Sequence, residues 1–159
     1  MKLKDLILSL SKEDILALIS VQEKITIKSL ELGNLIKVCG LYKVMGLNID
    51  FDAYMSISNL KDNVIYIDIK EFQISKKNSS NPLIKRTISF VTKSINDIKG
   101  MKLTDKLLTI DIEKIVKFYF ADEYGIRLEK LEINTLNSIN GVLELEINFL
   151  ELNINKLKK

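Results

Sequence analysis

The sequence predicts an α+β fold: a long, curved, mostly antiparallel sheet wrapped around a long amphipathic helix, with two shorter helices. Three observations predict it. Residues 47–58 alternate without a fault, with Leu47, Ile49, Phe51, Ala53, Met55 and Ile57 on one side and Asn48, Asp50, Asp52, Tyr54, Ser56 and Ser58 on the other. That period of two describes a strand with one dry and one wet face, and at about 3.3 Å per residue it would run roughly 40 Å, about twice the usual length. Behind Pro82, the residues Ile84, Ile88, Val91, Ile95 and Ile98 follow at helical spacing and draw one apolar stripe, widened by Leu83 and Phe90. Elsewhere the apolar phase of strand-like segments slips by one residue, as a β-bulge makes it do, and repeated bulges bend a sheet.

Taken in order, Leu6, Leu8 and Leu10 alternate and predict a short strand. Ser11 and Asp14 then open a helix. The Ser11 hydroxyl accepts from free N–H groups of the first turn, Asp14 places favourable charge there, and Leu10 and Ile15 occupy staple positions. This helix is expected to reach Gln22 with Ile15, Leu18 and Ile19 inward. Residues 24–32 read as a strand slipping from Ile25 and Ile27 to Leu30 and Leu32, and Gly33-Asn34 turns the chain into a strand over 35–45 with Gly40 inside it. Gly46 precedes the principal strand. Residues 59–63 turn it into an antiparallel strand over 64–74 that slips from Ile65, Ile67 and Ile69 to Phe72 and Ile74. After the polar run SKKNSSN, Asn81 caps the long helix, Pro82 takes its first position, where a missing N–H costs nothing, and Gly100 ends it. Residues 107–110 read as a strand, and Asp111 caps a helix to about Phe120 with Ile115, Val116, Tyr119 and Phe120 as its apolar side. The strand over 126–136 slips from Ile126 and Leu128 to Leu131 and Ile133. Asn140-Gly141 is a hairpin turn needing positive φ twice. The last strand, 142–154, slips from Leu143, Leu145, Ile147 and Phe149 to Leu152 and Ile154, before a frayed basic end at Lys156, Leu157, Lys158 and Lys159.

Composition narrows the classes. With 159 residues, 47% hydrophobic and 28% charged, the chain is expected to be one domain over 1–159, neither disordered nor membrane-embedded. A net charge of +3, the difference between 24 basic and 21 acidic residues, argues against a nucleic-acid partner, and few basic residues interleave with Tyr42, Tyr54 and Tyr66, which are expected on the sheet's outer face. Cys39 is the only cysteine, so no disulfide forms within one chain, and its expected role is that of a small buried hydrophobe. There is no histidine, which removes the commonest general base and metal ligand and every Ser-His or Cys-His device. The two lysines and apolar run at the start resemble a signal peptide, but Asp5 interrupts the run and Lys12, Glu13 and Asp14 follow early. A cytoplasmic location is the expectation.

An offset of 101 residues aligns Leu6 with Leu107, Ile25 with Ile126, Ile27 with Leu128, Leu30 with Leu131, Glu31 with Glu132 and Leu32 with Ile133. Residues 6–45 and 107–154 therefore read as a βαββ pseudo-repeat. The segments LILSLSKEDILALI, GLNIDFDAYMSISNLKDNVIYIDIKEFQIS, NPLIKRTISFVTKSINDI and KLLTIDIEKIVKFYF followed by YGIRLEKLEI together resemble, in pattern, the small bacterial single-domain members of the tubular lipid-binding (TULIP) superfamily. The resemblance implies a strongly curved sheet around a long helix, an apolar groove between them able to hold acyl chains, and no catalytic residues.

The remaining chemistry is sparse. Asp50 and Asp52 share the wet face of their strand with Asp68 on a neighbour, an arrangement that suits a hard cation but equally suits plain solvation, and no metal is expected. Asp122 and Glu123 sit at an exposed turn. Lys85, Arg86, Lys93, Lys99, Lys102 and Lys106 gather around the long helix, where they favour peripheral contact with an anionic membrane or simply solvate an outer face. The expected function is non-catalytic binding of a hydrophobic ligand, a lipid or acyl chain, without a cofactor. Its lining would be Leu47, Ile49, Phe51, Met55, Ile57, Ile65, Ile67 and Ile69 from the strands and Ile84, Ile88, Val91 and Ile95 from the helix. The alternative is a structural or protein-interaction module with a filled core, acting through a sheet edge or helix face on a protein partner or as a homodimer.

Overall fold

The computed structural model describes residues 1–19, 23–44, 46–74 and 81–154, without the side chains of 18, 19, 44, 81–84, 87 and 119–124. The expected continuation to Gln22, the inward roles of Leu18, Ile19, Tyr119 and Phe120, the Asn81 cap, most of the SKKNSSN loop and the basic end all lie outside the described residues. Among those described, the order is β1 (Lys2–Ser11), α1 (Lys12–Ile19), β2 (Ile25–Glu31), β3 (Ile36–Val44), β4 (Leu47–Lys61), β5 (Val64–Ile74), α2 (Asn81–Asn96), β6 (Met101–Thr104), β7 (Leu107–Asp111), α3 (Ile112–Tyr124), β8 (Ile126–Ile139) and β9 (Val142–Ile154).

The predicted architecture is corrected in its central point. There is no single sheet wrapped around a long helix; the chain is mostly β and forms two antiparallel sheets, a larger one ordered β2-β3-β4-β5-β7-β6 and a smaller one ordered β1-β9-β8. Two physical reasons account for this. The 16 residues of α2 extend about 24 Å, whereas the 15 residues of β4 extend about 50 Å, so the helix is too short to be the axis of the strands. The chain's ends also pair with each other, Leu6 with Ile147 and Leu10 with Leu143, instead of extending the larger sheet. Helix α2 meets that sheet at β3 and β4 through Val91 and Ser94 and at edge strand β6 through Asn96. Val91 packs on Tyr42 and Ile49, and the Tyr42 hydroxyl lies 2.7 Å from Ser94 Oγ, while Ile88 and Phe90 remain 46% and 43% exposed. Helix α1 covers a different stretch, with Ile15 and Leu16 packed on Leu30, Ile36 and Val38.

Local expectations hold where local chemistry decides. The alternation of β4 places Ile49 and Ala53 in the core. The register slips between Ile27 and Ser29, between Tyr54 and Met55 where β5 passes Lys70, and between Leu128 and Lys130. Asn140 and Gly141 adopt φ of 53° and 76°. Ser11 and Asp14 cap α1 reciprocally, the Ser11 N–H donating to Asp14 Oδ2 at 2.8 Å and the Asp14 N–H to Ser11 Oγ at 3.2 Å. Asp111 accepts from the Lys114 N–H at 3.0 Å to cap α3. Gly40 is required by close approach, since a Cβ there would lie 2.5 Å from the Thr26 carbonyl oxygen and 3.1 Å from the Phe51 ring. Strand β1 is longer than expected, and β6 was not expected at all.

Helix α1 carries the chain from the smaller sheet to the larger, and α3 carries it back. The join between sheets is made by Asn63 at the tip of the β4–β5 hairpin, where Asp62 and Asn63 both take positive φ. Its Nδ2 donates to the Leu131 carbonyl at 2.8 Å and its Oδ1 accepts from the Ile133 N–H at 3.0 Å, while its own carbonyl accepts from the Ile112 N–H at 3.1 Å. Because β8 is an edge strand, the carboxamide occupies the place of a neighbouring strand's peptide group. Asn96 serves edge strand β6 in the same way, accepting from the Leu103 N–H at 2.8 Å.

Asn63→Gly preserves the positive φ while deleting the carboxamide. At about 1 kcal/mol for each of the two hydrogen bonds to β8, with more for any group left dry and unpaired, it is expected to cost about 2–3 kcal/mol, read as a lowered urea midpoint at unchanged slope.

Candidate functional site

The structure places most of the residues expected to line a ligand groove on one side of the larger sheet. Ile49 is 1% exposed in a cluster with Tyr42, joined by Phe51 and Val91. Phe51, Met55 and Ile57 pack against Leu30, Ile36 and Val38. Ile65 and Ile67 are buried, pairing with Ile110 and Leu108 across β7, and Ile69 is half-buried opposite Met55. Ile95 is half-buried, Leu47 and Ile88 stand in solvent, and the side chain of Ile84 lies outside the described residues. The set is thus the packed inner side of the larger sheet plus stragglers.

Two described concavities lie elsewhere. One, of about 400 Å³, is lined by Lys28, Cys39, Asp50, Asp52 and Gln73 along with Gly40, Phe51 and Ile74. Cys39 is half-buried opposite Asp52, on the polar side rather than in the core as expected. Asp50 is held by Lys28 at 2.6 Å, and Asp68 pairs with Lys70 at 3.6 Å. Among the described residues no three His, Cys, Asp or Glu side chains come together as a metal site would require. Tyr42 is 3% exposed on the inner side, so the outer-face row of three tyrosines is not formed. The second concavity, about 350 Å³, is lined by Lys99, Gly100, Lys114, Lys117 and Phe118, with Lys99 Nζ 5.6 Å from the Phe118 ring centre. Its lysines are partly neutralised: Lys117 bonds Glu113 at 2.6 Å and Lys114 lies 3.8 Å from Asp111. No described helix is long and apolar enough to cross a membrane.

The most unusual surface is on the smaller sheet. Register sets three cross-strand rows side by side: Leu6, Ile147 and Ile133; Leu8, Leu145 and Leu136; Leu10, Leu143 and Ser138. Residues opposite one another share a face and alternate residues recur on it, so these nine form one lattice, eight of them aliphatic. Seven of the eight are half-buried, and Leu8 is 46% exposed. Ser138 Oγ is shielded from water without a hydrogen-bond partner. The rows between them carry the opposite chemistry: Ile7 faces Glu146, which accepts from Thr135 Oγ1 at 3.0 Å, and Ser9 faces Glu144. Toward the other end Leu3 aligns with Leu150 and Leu131. Leu3 and Leu6 are both half-buried between exposed neighbours although three residues apart, and Asp5 between them takes a left-handed φ of 53°. That break in alternation, matched by the slip between Glu132 and Ile133 in β8, keeps both leucines on the aliphatic side.

The alternation of Leu6 to Leu10 and of Leu143 to Ile147 is visible in the sequence. What it lacks is any sign that these segments pair with each other. Comparison with known proteins finds no matching family model, no matching curated protein and no matching solved structure.

Glu113, beside the second concavity, is held below its ordinary value of 4.5 chiefly by the hydrogen bond from Lys117, with the Asn63 amide adding to the effect and burial opposing it. A carboxyl depressed in the folded state contributes stability that is present above pH 4.5 and lost as pH falls through the depressed value. In Lys117→Met the Glu113 carboxyl is expected to titrate at higher pH than in the native protein, followed by NMR of its side-chain carboxyl carbon.

Proposed function

We propose that this chain is a non-catalytic protein-interaction module whose binding surface is the aliphatic lattice of the smaller sheet. The observation that carries the reading is that eight aliphatic side chains share one sheet face, seven of them half-buried and Leu8 46% exposed. Isolated exposed leucines need no explanation, but a contiguous aliphatic face does. A sheet face does not enclose a small ligand, which ordinarily loses most of its surface to a cleft, and this favours a polypeptide as its occupant.

A second reading, the one the tubular lipid-binding resemblance carries, is a hydrophobic-ligand carrier working from the larger sheet. It is supported by the run of half-buried apolar side chains Phe51, Met55, Ile57, Ile69, Phe72 and Ile74, with the Phe51 and Phe72 rings stacked 5.9 Å apart.

One experiment separates them. The native protein is expected to brighten the hydrophobic dye bis-ANS, Leu145→Lys to lose at least half of that signal with an unchanged circular dichroism spectrum, and solvent extracts to contain no lipid. A dark native protein sinks the interaction reading, and stoichiometric lipid in the extract selects the second.

A further inference from the structure

Independently of the smaller sheet, we infer that the outward side of α2 docks the protein on an anionic lipid surface. Over Asn81–Asn96 the helix carries three cations and no Asp or Glu. Lys85, Arg86 and Lys93 are all exposed, and among the described residues none of them has an ion-pair partner, whereas Lys28, Lys70, Lys114, Lys117 and Lys130 each have one. Asp97, one turn beyond Lys93, is the nearest acidic residue along the chain and makes no pair with it.

Arg86, Phe90 and Lys93 follow at spacings of four and three and so share one helix face, turned away from Val91, which packs on Tyr42 and Ile49. Lys85 and Ser89 lie beside them. Phe90 is fixed at its backbone, its carbonyl accepting from the Tyr42 hydroxyl at 3.4 Å, yet the residue is 43% exposed. An aromatic ring bracketed by cations is complemented by the boundary of an anionic bilayer, where phosphates take the cations and the apolar layer beneath takes the ring. The outward side of a helix is convex and offers no groove for a partner's chain, and α2 is the most strongly amphipathic of the three described helices. Each cation near such a surface raises binding about fivefold, so three raise it roughly a hundredfold over neutral lipid. At physiological salt that attraction reaches only about 8 Å, which ties it to this face rather than to the net charge of the chain.

Co-sedimentation with vesicles tests this on the native protein and three variants, each checked for an unchanged circular dichroism spectrum. The native protein is expected to bind vesicles of equal parts phosphatidylserine and phosphatidylcholine, less so as salt rises, and to leave pure phosphatidylcholine alone. Arg86→Glu with Lys93→Glu is expected to lose at least roughly tenfold, and Phe90→Ser roughly threefold. Lys4→Glu with Lys61→Glu makes the same change in net charge at exposed positions of β1 and β4 and is expected to stay within about twofold. Equal losses in the two double variants assign the attraction to net charge and overturn the face. Binding to pure phosphatidylcholine at the same strength overturns its charge basis. A native protein that ignores the anionic vesicles overturns the lipid surface outright, and if polyglutamate then holds it through Arg86 and Lys93 the occupant is an acidic polypeptide instead.

Discussion

The side-chain amide of Asn63 meeting the free edge of β8 is the contact on which the arrangement of the two sheets depends. Strand β8 has β9 on one side only, so the Leu131 carbonyl and the Ile133 N–H face away from any strand. Asn63 supplies one donor and one acceptor in the spacing of a peptide group, and its backbone carbonyl simultaneously receives the first turn of α3 through Ile112. Three elements are thus tied by one residue. Only a residue tolerant of left-handed φ and carrying a carboxamide satisfies the turn and the edge together, which is why asparagine, rather than glycine or aspartate, stands there.

Seen from the edges, the molecule treats its strands unequally. Strands β8 and β6 each have an asparagine carboxamide against their outer side. Strand β1 carries Lys2, Lys4 and Asp5 near its start, charges of the kind that discourage pairing, but its second half from Leu6 to Ser11 is uncharged. The uncharged half is also the part that contributes to the aliphatic lattice. Edge and face are therefore least guarded by charge at the same place.

Much of the fold was legible because it is decided locally. Alternation located β4, the slips around Lys28, Lys70 and Glu129 located bulges, and Asn140-Gly141, Ser11 and Asp111 located turn and caps. Each rests on interactions within a few residues. The helix–sheet wrap was not legible, because a stripe of Ile88, Val91 and Ile95 shows that a helix has an apolar side without showing how much of it is covered; Val91 is packed and Ile88 is not. The candidate site was legible only in pieces. Leu8, Leu145 and Leu136 each stand out as apolar positions, but their alignment in one row depends on backbone pairing between opposite ends of the chain, and backbone hydrogen bonds leave no mark in side-chain identity. Asn63 was hidden for a related reason: an asparagine in a turn is already accounted for by the turn.

The pairing of β1 with β9 also sets an order of events during synthesis. Strand β1 leaves the ribosome well before its hydrogen-bonding neighbour β9, so ten residues rich in leucine wait without that partner while the six strands of the larger sheet are completed. Such long-range closure is slow, and an unpaired aliphatic strand is the kind of segment that holdase chaperones shield and that aggregates when they do not. The smaller sheet then closes only when an early strand is captured by a late one, and productive yield in a cell depends on how long that capture takes.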